Sequence, residues 1–168
     1  MLVSIGEKCA FVQIGGRANF TSSVDFKTLL DQLLQKGYTG FVLDLTECVL
    51  MDSTFLGVLA GFGLKLNSPQ ADKIERKIQL YNPNGRISEL LENLGVLHLF
   101  KVTEGEMKVP DGAPASDVKS TNATREEVTS TCLEAHKTLM NINPGNVSRF
   151  KDVTAFLADD LKKMKAGS

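Results

Sequence analysis

The residues best placed to do chemistry in this 168-residue chain are an adjacent carboxylate and hydroxyl, Asp52 and Ser53, set just ahead of the apolar run Phe55-Leu56-Gly57-Val58-Leu59. Both types are favoured at a helix start, where a short side-chain oxygen accepts from backbone N–H groups that have no intrahelical partner. As an isolated pair they read as helix caps. Other reactive types are scattered. Cys9, Cys48 and Cys132 are odd in number and widely spaced. They form no C-x-x-C unit and no metal-ligand cluster, so they read as unpaired thiols in a reducing compartment. His98 and His136 stand alone, and ordinary polar or packing roles are expected of them. Gly15-Gly16-Arg17 fits no phosphate-loop pattern and reads as a strand-ending turn. No nucleophile elbow, Cys–His pair or paired acidic motif converges, so the expectation is a binding protein, not an enzyme, with no metal and no cofactor.

Positioning Asp52 and Ser53 falls to alternating strand-like and helix-like runs. Residues 9–15 are partly β-branched and aromatic and stop at Gly15-Gly16, as a strand entering a turn would. Thr21-Ser22-Ser23 offers hydroxyl caps for a helix, with Asp25 three residues after Ser22 in capping-box style. Its stripe is Phe26, Leu29, Leu30, Leu33 and Leu34, with Gly37 at the left-handed C-terminal position. Residues 40–45 are nearly continuous in apolar residues and predict a strand buried on both faces. The next helix begins near Ser53 and carries Leu56, Leu59, Phe62, Gly63 and Leu66 on one side. Residues 77–81 form another strand. Asn82-Pro83 then reads as the N-cap and first turn of a helix bearing Ile87, Leu90, Leu91 and Leu94, and a last strand covers Leu97–Val102. This alternation predicts an α/β layer with a largely parallel sheet, whose working surface lies at the carboxyl ends of strands.

The character of the chain changes after residue 103. Glu104–Asn122 is rich in Gly, Pro and Ser and reads as a flexible linker. Thr124 with Glu127 then makes a capping box for a helix bearing Val128, Cys132, Ala135 and Leu139. Asn143-Pro144-Gly145 breaks it, and a second helix runs to about Lys165 with Phe150, Val153, Leu157, Leu161 and Met164 along one face. A lone helical hairpin buries too little surface to be stable, so it must dock on the α/β body or on another chain. It reads as a docked appendage or as a dimerisation or partner-specificity element. The expected division is 1–103 for the α/β body, 104–122 for the linker and 123–168 for the hairpin.

Bulk properties narrow the class. The net charge is −1, with 42% hydrophobic and 23% charged residues, ordinary for a globular protein and without the basic excess of a nucleic-acid binder. No stretch approaches the ~20 apolar residues of a membrane span, and the first residues lack a signal-peptide plan. Direct nucleic-acid and membrane partners are therefore not expected, and a cytoplasmic location is.

The stretch from Phe41 to Leu59 resembles the signature of STAS domains, particularly the bacterial anti-sigma factor antagonists. Asp44, Leu45, Asp52, Ser53, Thr54, Leu56, Gly57, Val58 and Leu59 stand at the matching places. Phe55 departs from the pattern, which has glycine there. The resemblance spans roughly residues 1–103 and implies a STAS-like α/β fold: a mostly parallel or mixed sheet of four to five strands with helices packed against it. The C-terminal hairpin is an addition to it. It also implies that Ser53 is phosphorylated by a partner that is both anti-sigma factor and serine kinase of the GHKL type, and dephosphorylated by a serine phosphatase. Thr54 is the competing acceptor. Asp52, Ser53, Thr54, Phe55 and Gly57 would then face the partner. Phosphate suits a helix start, where N–H groups and the macrodipole favour negative charge. The alternative is a scaffold subunit of a larger signalling or transport assembly, with Ser53 only a cap.

Overall fold

A strand feeding a helix twice in succession, with the two helices brought side by side, is the feature of this fold that builds the site. The structure, a computed structural model, describes residues 1–67, 77–109 and 115–167. Strands β1 (Leu2–Ile5) and β2 (Cys9–Gln13) form an antiparallel pair, with Val3 opposite Val12. A short β3 (Gly16–Ala18) leads into α1 (Phe20–Gln35). Next come β4 (Gly40–Asp44) and β5 (Cys48–Met51), which leads into α2 (Ser53–Leu66). After β6 (Ile78–Tyr81) and α3 (Gly85–Asn93), a 3-10 turn at Leu97–Leu99 leads to β7 (Phe100–Thr103). A two-residue β8 (Ser116–Asp117) precedes α4 (Arg125–Ile142) and α5 (Val147–Ala166).

The main sheet runs β7-β6-β4-β2-β1-β8. The four strands from β7 to β2 are parallel, and β1 and β8 are added antiparallel at one edge. The sheet thus has the mixed α/β character expected of the sequence, widened by two short pairings. Ser116 and Asp117 are poor strand formers, and β8 is held by backbone bonds to β1 that continue to Val118 N–H on Met1 O. Part of the expected linker therefore belongs to the sheet, while residues 110–114 of it lie outside the described residues.

Phe41, Val42 and Leu43 of β4 are all buried, as a near-continuous apolar strand between two covered faces requires. Phe41 meets Phe62 of α2 edge to face, with ring centroids 4.9 Å apart. Phe26 of α1 stacks on Phe55 of α2 at 4.4 Å, fixing the two helices to each other. Of the expected α1 stripe, Phe26, Leu30 and Leu33 are buried, and Leu29 and Leu34 pack against the core. Gly37 has φ 92°, the left-handed value expected just past that helix.

Two helix starts differ from the sequence reading. The cap of α1 is Asn19, not the Thr21–Ser23 hydroxyls. Asn19 accepts from Thr21 N–H and closes a capping box with Ser22, and asparagine caps as well as serine does. Asp25 is thereby left to accept from Thr121 N–H and Oγ1, tying the run before α4 onto α1. The cap of α3 is Asn84, whose side chain accepts from Ile87 N–H, and not Asn82. Asn82 adopts φ 55° and uses its amide on Thr46 and Gly105, so it clamps two loops instead of opening a helix.

The C-terminal hairpin folds back on the body through helices, not through the sheet. Thr124 and Glu127 form the expected capping box of α4. That helix packs on α2 and α1, and α5 packs on α4. The connecting turn is anchored by Asn146, fully buried, whose Nδ2 donates to Leu94 O beyond α3 and to Leu139 O of α4, each at 2.9 Å. On α5, Phe150, Leu157, Leu161 and Met164 are half-buried, while Val153 and Phe156 are exposed. Among the described residues no helix is long and apolar enough to cross a membrane.

Candidate functional site

β3 and β5 pair in parallel as a separate two-stranded sheet, Ala18 opposite Met51. Each ends immediately before a helix, so the N-termini of α1 and α2 emerge together. Asp52 occupies the junction. Its Oδ1 accepts from Phe55 N–H at 2.8 Å, capping α2, and its Oδ2 accepts from Phe20 N–H at 2.7 Å, the first residue of α1. Its own N–H donates to Ala18 O at 2.9 Å. One carboxylate therefore serves two helix starts and their aligned dipoles, which favour negative charge at this place.

Ser53 follows as the first residue of α2. Its Oγ lies 2.9 Å from Nε2 of His136 on α4, and Nδ1 of the same ring lies 2.7 Å from Cys132 O. A carbonyl can only accept, so Nδ1 carries the proton. In the neutral imidazole Nε2 is then the acceptor, and the Ser53 hydroxyl donates to it. Phe150 of α5 covers the ring at 4.9 Å between centroids. Thr54, buried, directs Oγ1 towards Cys132 Sγ at 3.6 Å. Burial pushes the Cys132 thiol up from its ordinary range. The Thr54 hydroxyl opposes this shift, and the Asp52 charge adds to it.

Gly57 marks the closest approach of α4. A Cβ added there would lie 2.5 Å from Ala135 O and 2.6 Å from Ala135 Cβ, so only glycine admits the α4 backbone. One turn on, Gly61 faces Thr138. Beside this crossing a cavity of about 410 Å³ opens between α1, α2 and α4, lined among others by Leu30, Gly57, Val58 and Phe62. Ser53 and His136 do not line it. The Lys27–Glu134 ion pair at 2.8 Å spans from α1 to α4. Both side chains are well exposed, so its contribution is small.

Of the residues singled out in the sequence, Asp52, Ser53, Thr54 and Gly57 come together at the start and along one side of α2. Phe55 is separated from them by burial. Its ring is fully enclosed against Phe26 and offers a partner no side-chain surface. In the sequence His136 reads as a solitary residue with an ordinary polar or packing role, and the structure puts it on the Ser53 hydroxyl. The one available signal was its place beside the stripe of Cys132, Ala135 and Leu139. That signal marks a buried helix face without saying what lies opposite. A serine donating to an oriented imidazole is the geometry that raises hydroxyl nucleophilicity. Here the ring is oriented by a carbonyl, and the pair is half-buried where α4 crosses the start of α2.

The STAS domain family model matches residues 3–108. Two structures of a Thermotoga maritima protein are similar to the chain; the crystallographic one is described as that of a candidate anti-sigma factor antagonist. The crystal structure has 21% identity and a TM-score of 0.53 over 62% of this chain and 86% of that one. The NMR structure has 21% identity and a TM-score of 0.52 over 61% and 78%. The anti-sigma factor antagonist SpoIIAA in its unphosphorylated form is similar at 13% identity and a TM-score of 0.51, over 63% of this chain and 88% of that one. At such identities these likenesses speak to the fold. No curated protein sequence matches the chain. With the family model covering well over half its length, and with an α/β fold similar to these structures, the chain belongs to the STAS domain family.

Proposed function

We propose that this chain is a phosphorylation-switched protein-binding regulator, an anti-sigma factor antagonist. It binds an anti-sigma factor with GHKL-type serine-kinase activity while Ser53 carries a free hydroxyl, and releases it once Ser53 is phosphorylated. A serine phosphatase resets the cycle. The observation that carries the reading is the Asp52–Ser53 pair at the first turn of α2 in a STAS domain, with the Ser53 hydroxyl half-buried at the helix start. Asp52, Ser53, Thr54 and Gly57 form the partner face, and Phe55 supports it from beneath.

The physical effect of phosphate at this position is direct. It adds about −1.5 to −2 charge. The nearest fixed charge is the Asp52 carboxylate, which already takes the N–H groups of Phe55 and Phe20. A close-packed partner would have to desolvate two adjacent negative groups, which costs several kcal/mol unless cations meet them. Binding is lost without refolding of the sheet. Thr54 is a poorer acceptor than Ser53, because its hydroxyl is buried against Cys132.

The test is capture of a GHKL-type serine kinase by the full chain from its native source, followed by labelling with that kinase. Ser53→Ala is expected to abolish labelling while Thr54→Ser retains it. Undiminished labelling of the Ser53→Ala protein would remove Ser53 as the acceptor and favour the scaffold role.

A further inference from the structure

The partner face of α2 is already occupied in this structure by the chain itself. α4 lies along α2, with Ala135 backbone to backbone on Gly57, Cys132 on Thr54, and His136 accepting the Ser53 hydroxyl. Among the described residues the covering helix and its flanks are also tied down by Asp25 on Thr121 ahead of it, Lys27 on Glu134 within it, and the buried Asn146 after it on Leu94 O and Leu139 O. This is a specific docking and not a loose appendage.

We infer that the α4–α5 hairpin is a built-in competitor for the partner face of α2, and that its docked position and a phosphate on Ser53 exclude each other. The inference rests on the proposed reading of Ser53, and it adds how the site is regulated. A partner or kinase reaches Ser53 only after the hairpin lifts. The chain therefore sets its own threshold for binding. The competing helix also describes the partner element that can replace it: a small residue over Gly57 and an acceptor for the Ser53 hydroxyl.

The exclusion follows from the geometry. A phosphoryl group and its three oxygens would have to enter where Nε2 sits 2.9 Å from Oγ. α4 cannot retreat sideways along α2 while its backbone is in contact at Gly57. Phe150 closes the other side of the imidazole. The added negative charge also lies beside Asp52, in an interface that excludes water from His136 and Thr54. Once released, the hairpin keeps only the packing of α5 on α4 and uncovers the α4 face that met α2 and α1, so its amides lose protection.

Cys132 provides the reporter. Its thiol is half-buried beside Thr54 at the α2–α4 contact, so docking of α4 restricts the approach of iodoacetamide and release of α4 is expected to speed alkylation. The experiment uses the full chain with phosphoserine installed at position 53 by genetic-code expansion. Alkylation at Cys132 and amide exchange across α4 are read by mass spectrometry. Expected is an acceleration of about tenfold or more at Cys132 and loss of protection in α4, with β4 and β6 unchanged. Ala135→Arg, which leaves the Ser53 hydroxyl intact, is expected to give the same release. Protection of α4 that is unchanged or raised with phosphoserine, as an imidazolium–phosphate pair would produce, overturns the exclusion. Unchanged Cys132 reactivity in Ala135→Arg overturns the docking on which it depends. Either failure leaves the Ser53 switch standing, whereas a Ser53→Ala protein still labelled by the kinase removes the switch and leaves the competition measurable.

Discussion

Replacing Phe55 by glycine, the residue other STAS sequences of this type are expected to carry, should lower the stability of the α/β body by about 3–5 kcal/mol, making it one of the most damaging single changes in the chain. The ring is fully buried and stacked at 4.4 Å on Phe26. It is the direct link between the first turn of α2 and the middle of α1. Its loss leaves a cavity between two helices whose first turns are tied to the Asp52 carboxylate, and glycine in the helix adds up to about 1 kcal/mol. Urea unfolding monitored by circular dichroism checks this through the midpoint at constant slope. A double-mutant cycle with Phe26→Ala should show a coupling of about 0.5–1.5 kcal/mol, the part that belongs to the ring pair itself. If Phe55→Gly unfolds at the same urea concentration as the parent, Phe55 is not the support described here.

Gly57→Ala is the second change with a large expected effect, and it acts on a different part of the molecule. The added methyl group would stand 2.5 Å from Ala135 O, a backbone atom with no rotamer by which to yield. Over-packing of this kind typically costs about 1–3 kcal/mol, and here it falls on one seam. The expected result is selective: α4 and α5 lose exchange protection and Cys132 becomes reactive. The amides of β2, β4 and β6 keep their protection, since the core around Leu43 and Leu80 is untouched. Loss of protection throughout the sheet would mean that the hairpin and the body unfold as one unit.

These two residues also show how far the sequence could be read. Phe55 was legible as a departure from a pattern, but its meaning depends on Phe26, 29 positions earlier, which stands on a stripe that predicts burial without naming its neighbour. Gly57 belonged to the motif, while its contact with Ala135 joins two segments across a linker that carries no periodic signal. The alternating strands and helices, the left-handed Gly37 and the Thr124–Glu127 box were all readable, because each is set by local period or by a cap within four residues. The starts of α1 and α3 were displaced because several asparagines and hydroxyls compete for one cap, and tertiary bonds to Thr121 and Gly105 decide which of them are free to serve. β8 was invisible because backbone pairing alone holds it. The pairing of His136 with Ser53, across 83 positions, has no sequence signature at all.

That pairing changes what Ser53 means. In the structure the hydroxyl is held by the chain's own helix α4, and in the proposed account it stands between that state and one open to a partner. The proposed switch requires that the hydroxyl be modified in the living cell. Phosphopeptide mass spectrometry of the full chain, isolated from its native source across growth and stress conditions, tests this most directly. The account predicts a phosphate on Ser53, in a fraction that changes with condition, and none on Thr54. A chain whose Ser53 is unmodified in every condition, or whose phosphate sits on Thr54, would contradict it.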